Sequence, residues 1–282
     1  MRAVLLLQCP DRPGIVAAVG AFVADTGGNV VEADQHSDPA AGLFLQRVEF
    51  DVESDLAALI AGFDPLAAQF SMDWSLHDLA TRPRVAVLAS RQGHCLADLL
   101  ARNALGELAG EFVLVASNHD THAKLVERFD VPFRHLPVTE DGPDARDAQE
   151  RALGALLDTT APDIVVLARY MRVLPAWLVD AWQQRMINIH HSFLPSFAGA
   201  RPYAQAHERG VKVIGATAHY VTPALDEGPI IAQQVLPVSH RDDPNRLERR
   251  GRDLEAVVLA EALRLHLEHR VIVYGRRTAV FD

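Results

Sequence analysis

Hydrophobic residues in the first 80 positions fall into short runs separated by polar turns. Residues 14–27 and 55–70 carry apolar positions at the three- and four-residue spacing of amphipathic helices. The turn Pro39–Gly42 joins two strand-like runs in the manner of a hairpin. The order βαββαβ predicts a ferredoxin-like domain with both helices on one face of an antiparallel sheet. The predicted strands are 2–9, 29–38, 43–52 and 73–79.

The pattern changes after Pro83, a residue that interrupts helices. From there, short apolar strands alternate with amphipathic helices, as in parallel βαβ units. We therefore predict two domains, 1–82 and 83–282, the second being Rossmann-like α/β with a mostly parallel sheet. Ligands of such sheets bind beyond the carboxyl ends of the strands. The predicted strands of this half are 84–90, 111–118, 133–138, 163–170, 186–192, 211–222 and 229–238, and its last helix is 245–269.

Composition narrows the class of protein. A chain of 282 residues with 49% hydrophobic and 23% charged residues is typical of a globular protein. A formal net charge of -10 argues against a nucleic-acid partner, which needs a clustered cationic surface. Only Cys9 and Cys95 are present, too few for a disulfide framework, and no apolar stretch approaches the ~20 residues that span a bilayer. We expect a cytoplasmic protein without membrane association.

Polar side chains that can act together occur late in the chain. Asn188 and His190 lie two apart on a predicted strand, so both leave the same face, and Asp226 lies in a turn between two strands. A hydrogen-bonded polar pair and an ordinary turn are the plainer interpretations. His190, His191 and His219 also resemble a set of metal ligands, but adjacent strand residues face opposite ways and no zinc-site spacing accompanies them. We expect no metal site.

The segment that begins NIHHSFLPS and ends LDEGPIIAQ resembles the catalytic core of folate-dependent formyltransferases, in which Asn-Ile-His, Ser-x-Leu-Pro and Leu-Asp-x-Gly-Pro recur in that order. Over the whole chain the sequence is similar to formyltetrahydrofolate deformylases, which join an ACT domain to a formyltransferase domain. The resemblance implies hydrolysis of 10-formyltetrahydrofolate to formate and tetrahydrofolate, supplying formate for purine synthesis without a further cofactor. The motifs that carry it are CPDRPG, HCLADLL, SNHDT, RFDVPF, VLARYMRVLP, GARPYAQA, LDEGPII and VYGRRT.

On the family's pattern, Asn188, His190 and Asp226 form the catalytic trio. Hydrolysis of a formamide needs a delivered water, a stabilised oxyanion and a proton for the departing nitrogen. We hypothesise that Asp226 binds and deprotonates water and orients His190. Protonated His190 and the Asn188 amide would then hold the formyl oxygen, and the proton would be relayed to nitrogen.

The resemblance also places the folate pocket in two loops that follow strand ends. The first loop has a plainer interpretation, in which Val173 and Leu174 are ordinary core residues leading into a helix and Arg172 is solvated. The predicted folate-binding residues are Arg172, Val173, Leu174, His219, Val221 and Leu225.

Two other functions stay open at this point. Glycinamide ribonucleotide formyltransferases share the catalytic motif but need a phosphate cradle, for which the turn 90–95 has a single Gly and bulky neighbours. His191 also stands where those transferases commonly have Pro. A folate-binding sensor without turnover is the second alternative, and the intact trio argues against it.

The first domain resembles an ACT domain, a module that usually binds an amino acid between copies. Gly14 opens the first helix, where free N–H groups favour a carboxylate, and we expect Asn29, which begins the next strand, to lie near this loop. Asp11, Arg12, Gly14 and Asn29 are the predicted effector residues, with glycine or methionine as candidate effectors. An ordinary turn in a domain that serves only oligomerisation is the alternative. We expect a homo-oligomer.

Overall fold

The computed structural model describes residues 1–138, 143–196 and 202–282. Within them the chain forms two compact units, the first made of Met1–Arg82 with Glu268–Asp282 and the second of Pro83–Leu267. The predicted second domain extends to residue 282, whereas the contacts of Glu268–Asp282 lie within the first unit.

The first unit is built on a four-stranded antiparallel sheet in the order β2-β3-β1-β4, which confirms the ferredoxin-like prediction. Ile15 and Val19 from the first helix and Leu59 and Phe63 from the second are buried in one core against this sheet. Asp55 begins the second helix by accepting the backbone N–H of Ala58 at 2.8 Å. The elements are β1 (Arg2–Pro10), α1 (Ile15–Asp25), β2 (Asn29–Asp38), β3 (Leu43–Asp51), α2 (Leu56–Phe70) and β4 (Asp73–Asp78).

The second unit contains a seven-stranded sheet in the order β11-β10-β9-β8-β5-β6-β7. Strands β5 to β9 pair with one another in parallel, and β10 is antiparallel to both β9 and β11. The mostly parallel sheet is therefore confirmed. Its elements are β5 (Arg84–Ala89), α3 (His94–Ala104), β6 (Glu111–Ser117), α4 (Ala123–Glu127), β7 (Phe133–His135), α5 (Pro143–Thr160), β8 (Ile164–Ala168), α6 (Ala176–Ala181), β9 (Met186–His190), α7 (Pro202–Arg209), β10 (Val213–Tyr220), β11 (Ile230–Pro237) and α8 (Pro244–Leu267).

The strand order reverses between β5 and β8, because the chain first builds outward through β6 and β7 and then returns to place β8, β9 and β10 on the other side. Loops that leave the carboxyl ends at such a reversal diverge and open a crevice. Ala89, Ala168 and His190 end the three strands that border this crevice. Among the described helices, none is long and apolar enough to cross a membrane.

The last residues form a hairpin of β12 (Val271–Tyr274) and β13 (Arg277–Val280). Ile272 and Phe281 are buried with Leu45 of β3 in a cluster separate from the core beneath the helices, which packs this hairpin against the first unit's sheet. The hydrophobic pattern does not predict the hairpin, because its strands have only four residues each.

Candidate active site

A cavity of about 270 Å³ opens at the carboxyl ends of β8 and β9. The loops after β8 and β10 form its walls. Every residue that the sequence assigns to catalysis or folate binding lines this cavity: Asn188, His190, Asp226, Arg172, Val173, Leu174, His219, Val221 and Leu225.

Strand register brings the polar side chains together. Asn188 and His190 are two apart on β9 and lie on one face of the sheet. On the antiparallel neighbour β10, His219 lies opposite Asn188, and Thr217 lies opposite His190. A cross-strand pair of this kind puts side chains within about 5 Å of each other. The His219 contact with Asn188 therefore follows from sheet pairing.

The loop after β10 carries Asp226 to the same place. Asp226 has a φ of 56°, in the left-handed region. Two residues on, a Cβ on Gly228 would lie 1.7 Å from the Tyr220 carbonyl oxygen, so only glycine permits this close approach. The Leu-Asp-x-Gly-Pro motif thus folds the loop against the end of β10 and presents the carboxylate to the histidines.

The trio and His219 form a chain of polar contacts. His190 Nδ1 is 3.2 Å from Asp226 Oδ2, and Asn188 Nδ2 is 3.3 Å from His219 Nε2. His219 Nδ1 lies 2.9 Å from the Tyr220 carbonyl oxygen. Because a carbonyl only accepts, His219 Nδ1 carries the hydrogen, and the neutral ring then accepts the Asn188 N–H at Nε2. The second N–H of Asn188 is left for a ligand.

The two ring nitrogens of His190 differ, because Nδ1 contacts Asp226 and Nε2 has no hydrogen-bond partner among the described residues. The His190 side chain is 6% exposed, and Nε2 is buried. The hydrogen bond from His190 holds the pKa of Asp226 well below its usual range. Asp226 is therefore ionised at neutral pH and accepts the hydrogen of His190 Nδ1.

The backbone after His190 is fixed by a buried threonine. The Thr217 hydroxyl donates to the Ser192 carbonyl at 2.8 Å and accepts from the Leu194 N–H at 3.1 Å. Gln233 Nε2 donates to the same hydroxyl at 2.9 Å and to the Leu194 carbonyl at 3.0 Å. These bonds hold the Ser-x-Leu-Pro segment, in which the Leu194–Pro195 peptide is cis.

Sequence reasoning missed a buried ionic network beside the trio. Arg169, directly after β8, has a φ of 60°, and its Nε lies 2.9 Å from Gln92 Oε1 and 3.3 Å from Glu255 Oε2. Glu255 is fully buried on α8 and also accepts from the Tyr203 hydroxyl at 2.5 Å. The sequence does carry one sign of this network. Glu255 lies four residues after Gly251, on the buried face of α8, and a carboxylate on such a face indicates a buried ionic partner.

His94, Cys95 and Glu255 come closest to a metal-binding arrangement among the described residues, with ligand atoms within 4.8 Å of one another. Burial keeps the pKa of the Cys95 thiol well above its usual range. Glu255 already accepts from His94 Nε2 at 2.8 Å and pairs with the Arg169 guanidinium. A neutral thiol beside a fixed positive charge does not suit a cation. The expectation of no metal stays a prediction.

The predicted effector residues are not brought together in one copy. The β1–α1 loop holds Asp11, Arg12 and Gly14 next to Pro10, which pairs with Leu43. Asn29 instead pairs with Asp51 at the other end of β3, roughly 25 Å away along the strands. The Arg12 guanidinium donates to the Gln69 carbonyl and lies 4.3 Å over the Phe70 ring, so it packs against the end of α2. The expectation that Asn29 lies near the loop is wrong within a single chain.

The doubly wound sheet with its carboxylate–histidine–asparagine edge defines a formyl transferase domain, and the family model for formyl transferase matches residues 83–263. The ACT domain model matches residues 3–59. The formyltetrahydrofolate deformylase of Synechocystis sp. is 49% identical, over 100% of this chain and 99% of its own. The chain belongs to the formyltetrahydrofolate deformylase family.

Solved structures agree with this membership. The formyltetrahydrofolate deformylase from Pseudomonas syringae pv. tomato superposes with a TM-score of 0.97 at 48% identity, covering 100% of this chain and 95% of that one. Glycinamide ribonucleotide transformylase 1 from Symbiobacterium toebii superposes with a TM-score of 0.66 at 36% identity, covering 71% of this chain and 95% of that one. The likeness to the deformylase thus covers the whole chain, whereas that to the transformylase covers part of it.

Proposed function

We propose that this protein hydrolyses 10-formyltetrahydrofolate to formate and tetrahydrofolate, as the names of its full-length relatives indicate for them. The observation that carries the proposal is His190, whose buried Nε2 has no partner among the described residues while Asp226 engages its Nδ1. A buried ring nitrogen without a partner needs one from a ligand. The formyl oxygen supplies one.

The cavity suits the pterin end of a folate. Leu174 is buried in its wall, while Met171, Val173 and Leu225 are each more than half exposed around it. Apolar surface of this kind gains free energy when a flat ring system covers it. A volume of about 270 Å³ holds one end of the substrate, and the remainder extends past the exposed residues.

Water attack on the formyl carbon is the first step. The substrate's carbonyl oxygen accepts from His190 Nε2–H and from the free N–H of Asn188, and these donors stabilise the oxyanion as it forms. Asp226 Oδ1 is 3.7 Å from His219 Nε2, too far for a good direct hydrogen bond, so it can accept from the attacking water. The water's oxygen bonds to carbon and one of its protons passes to Asp226.

The proton does not stay on this carboxylate. Because the pKa of Asp226 lies below its usual range, the group is a weak base and a good proton donor. The nitrogen of the tetrahedral intermediate has regained its lone pair and takes the proton as the C–N bond breaks. Formic acid then loses its proton to solvent as formate. In the resting enzyme, Asp226 chiefly holds His190 in its donor form.

Transfer to glycinamide ribonucleotide is disfavoured by the turn after β5. A Cβ on Gly93 would lie 2.5 Å from the His122 ring, so side chains already pack against this turn. His94, at the start of α3, is engaged by Glu255. A turn so occupied leaves little room for a phosphate at the helix N-terminus.

The ACT domain is the basis for proposing an amino-acid effector, such as glycine or methionine. Since Asn29 lies at the far end of the sheet from Asp11 and Gly14, any site that uses all of them takes Asn29 from a second copy. Effector binding would then be coupled to self-association in a homo-oligomer. Calorimetry with each amino acid, at protein concentrations above and below the association midpoint, tests this coupling.

We place the protein in the cytoplasm because both cysteines are buried and unpaired.

The test of function is a product assay in buffer without an amine acceptor. We expect formate and tetrahydrofolate to appear in equal amounts from 10-formyltetrahydrofolate. Turnover that begins only after glycinamide ribonucleotide is added would replace hydrolysis with transfer. Binding of the folate without product in either assay would indicate a sensor.

A further inference from the structure

A second cavity, of about 420 Å³, adjoins the first. Arg169, Met171 and His191 line both cavities and form the partition between them. The far wall is made by α8, including Arg252 and Glu255. The catalytic steps described above use none of these residues.

Two guanidinium groups in this wall each have one buried nitrogen without a hydrogen-bond partner among the described residues, although the Arg252 side chain as a whole is 42% exposed. Arg169 is 6% exposed, and its Nη1 is unpartnered although its Nε is engaged by Gln92 and Glu255. Arg252 donates from Nη2 to Glu248 at 2.6 Å, while its buried Nε is unpartnered. A buried charged donor without an acceptor is costly, and an anion from outside the chain removes that cost.

The carboxylates in the same wall are already engaged. Burial works against the charge of Glu255, but the hydrogen bond from His94, the Arg169 guanidinium and the Tyr203 hydroxyl outweigh it and lower the pKa of Glu255. Glu248 pairs with Arg252 Nη2. The buried side-chain atoms of this wall that still lack a partner are therefore guanidinium nitrogens, which can only donate.

The N-terminus of α8 adds to this polarity. Pro244 and Asn245 line the cavity at the first turn of the 24-residue helix, whose N-terminal end carries a partial positive charge. Asp243 Oδ1 accepts the Arg246 N–H at 2.7 Å. The helix end therefore attracts an anion less strongly than the two guanidinium groups do. Two guanidinium groups and a helix N-terminus, all of positive polarity, thus line one cavity.

We propose that this second cavity is a small-carboxylate site, and that its occupant is the formate released by hydrolysis. The inference rests on the proposed function for the identity of the anion. Formate forms on the catalytic side of the partition while tetrahydrofolate still covers the first cavity. It passes His191 and is held by Arg169 Nη1 and Arg252 Nε.

His191 suits such a passage because it adds no charge. Burial, and next the Arg169 guanidinium, lower the pKa of His191 to about 4, so the ring is neutral at physiological pH. A formate ion moving past it meets a polar wall that neither repels nor traps it. The formate site then empties into solvent independently of the folate.

The test is a titration of ¹³C-formate with the protein in the absence of folate, followed by the ¹³C line width. We expect Arg252→Gln to raise the formate Kd at least about tenfold, the usual effect of losing one charge-assisted hydrogen bond. Arg249→Gln, an exposed change on the same helix, should leave the Kd unaltered. Glu248→Gln removes the ion-pair partner of Arg252 and should bind formate at least as tightly as the parent.

The outcomes separate the sources of anion and the two proposals. Phosphate that binds where formate cannot compete would assign the site to a phosphate-bearing ligand and overturn formate as occupant. Equal loss of formate in Glu248→Gln and Arg252→Gln would indicate a structural effect and also overturn it. If the protein hydrolyses 10-formyltetrahydrofolate but Arg252→Gln leaves the formate Kd unchanged, only this inference is overturned. A protein that binds formate but releases none from 10-formyltetrahydrofolate overturns only the proposed function.

Discussion

The sequence predicts a cluster of functional residues both at the catalytic edge of the large sheet and at the effector loop of the small one. The structure brings the residues together only at the catalytic edge. All nine predicted residues of the catalytic edge line one cavity. In the first unit, Asn29 and the loop holding Gly14 lie at opposite ends of the sheet. The difference comes from topology. Asn188 and His219 lie on adjacent strands whose register places them side by side. In a βαβ unit, by contrast, the helix returns the chain to the end of the sheet where the first strand began, so Asn29 starts β2 at the end away from the β1–α1 loop.

The strongest test of the catalytic edge is Asp226→Asn. This near-isosteric change keeps the loop but removes the charge that holds His190 as a donor 3.2 Å away. We expect formate release to fall by about 10³- to 10⁴-fold, as when a carboxylate that orients a catalytic histidine is lost. Single-turnover release of formate measures it.

Glu227→Gln is the matched control, because it removes a carboxylate from the exposed neighbouring position that does not line the cavity. It should retain the parental rate. Equal losses in both variants would mean that general loop charge, and not the Asp226–His190 pair, governs the reaction.

Asn188→Ala comes next in expected size. The change removes one oxyanion donor and the N–H that His219 accepts at 3.3 Å. We expect kcat to fall by about 10²- to 10³-fold with a smaller change in KM, since the bond strengthens mainly in the transition state. Full turnover would remove Asn188 from the mechanism and leave His190 as the lone side-chain donor.

A pair of glycine substitutions compares the backbones of the two regions. In Gly228→Ala the new Cβ meets the Tyr220 carbonyl oxygen at 1.7 Å, so the loop must move and carry Asp226 with it. We expect a roughly 100-fold loss of rate. Gly20→Ala, on the exposed face of helix α1, meets nothing within 4 Å and should raise the free energy of unfolding by about 0.5 to 1 kcal/mol without loss of rate. Chemical unfolding and the formate assay on both proteins check the contrast.

Sequence periodicity explains how much of this fold was predictable. Runs long enough to show a period, such as α8, were placed within one or two residues. The four-residue strands of the terminal hairpin carry too little pattern, and their attachment depends on Leu45, more than 200 positions earlier. The Arg169–Glu255 pair was missed for the same reason, because its two members are far apart in sequence and each is ambiguous alone.

The smallest expected effect concerns one partly buried histidine in each region. The pKa of His191 falls to about 4 and that of His77 is lowered, both first by burial. Between the unfolded value near ~6.5 and these lower folded values, the unfolded state binds more protons, so stability falls as pH falls through that window. His191→Gln should reduce this dependence by at most about 1.4 kcal/mol per pH unit, and His77→Gln should reduce it in the same direction. Urea unfolding at about pH 7 and about pH 5 measures it, with exposed His240→Gln as the control. If His191→Gln keeps the parental pH dependence, the ring takes up a proton in the folded state, and the neutral passage for formate is lost with it.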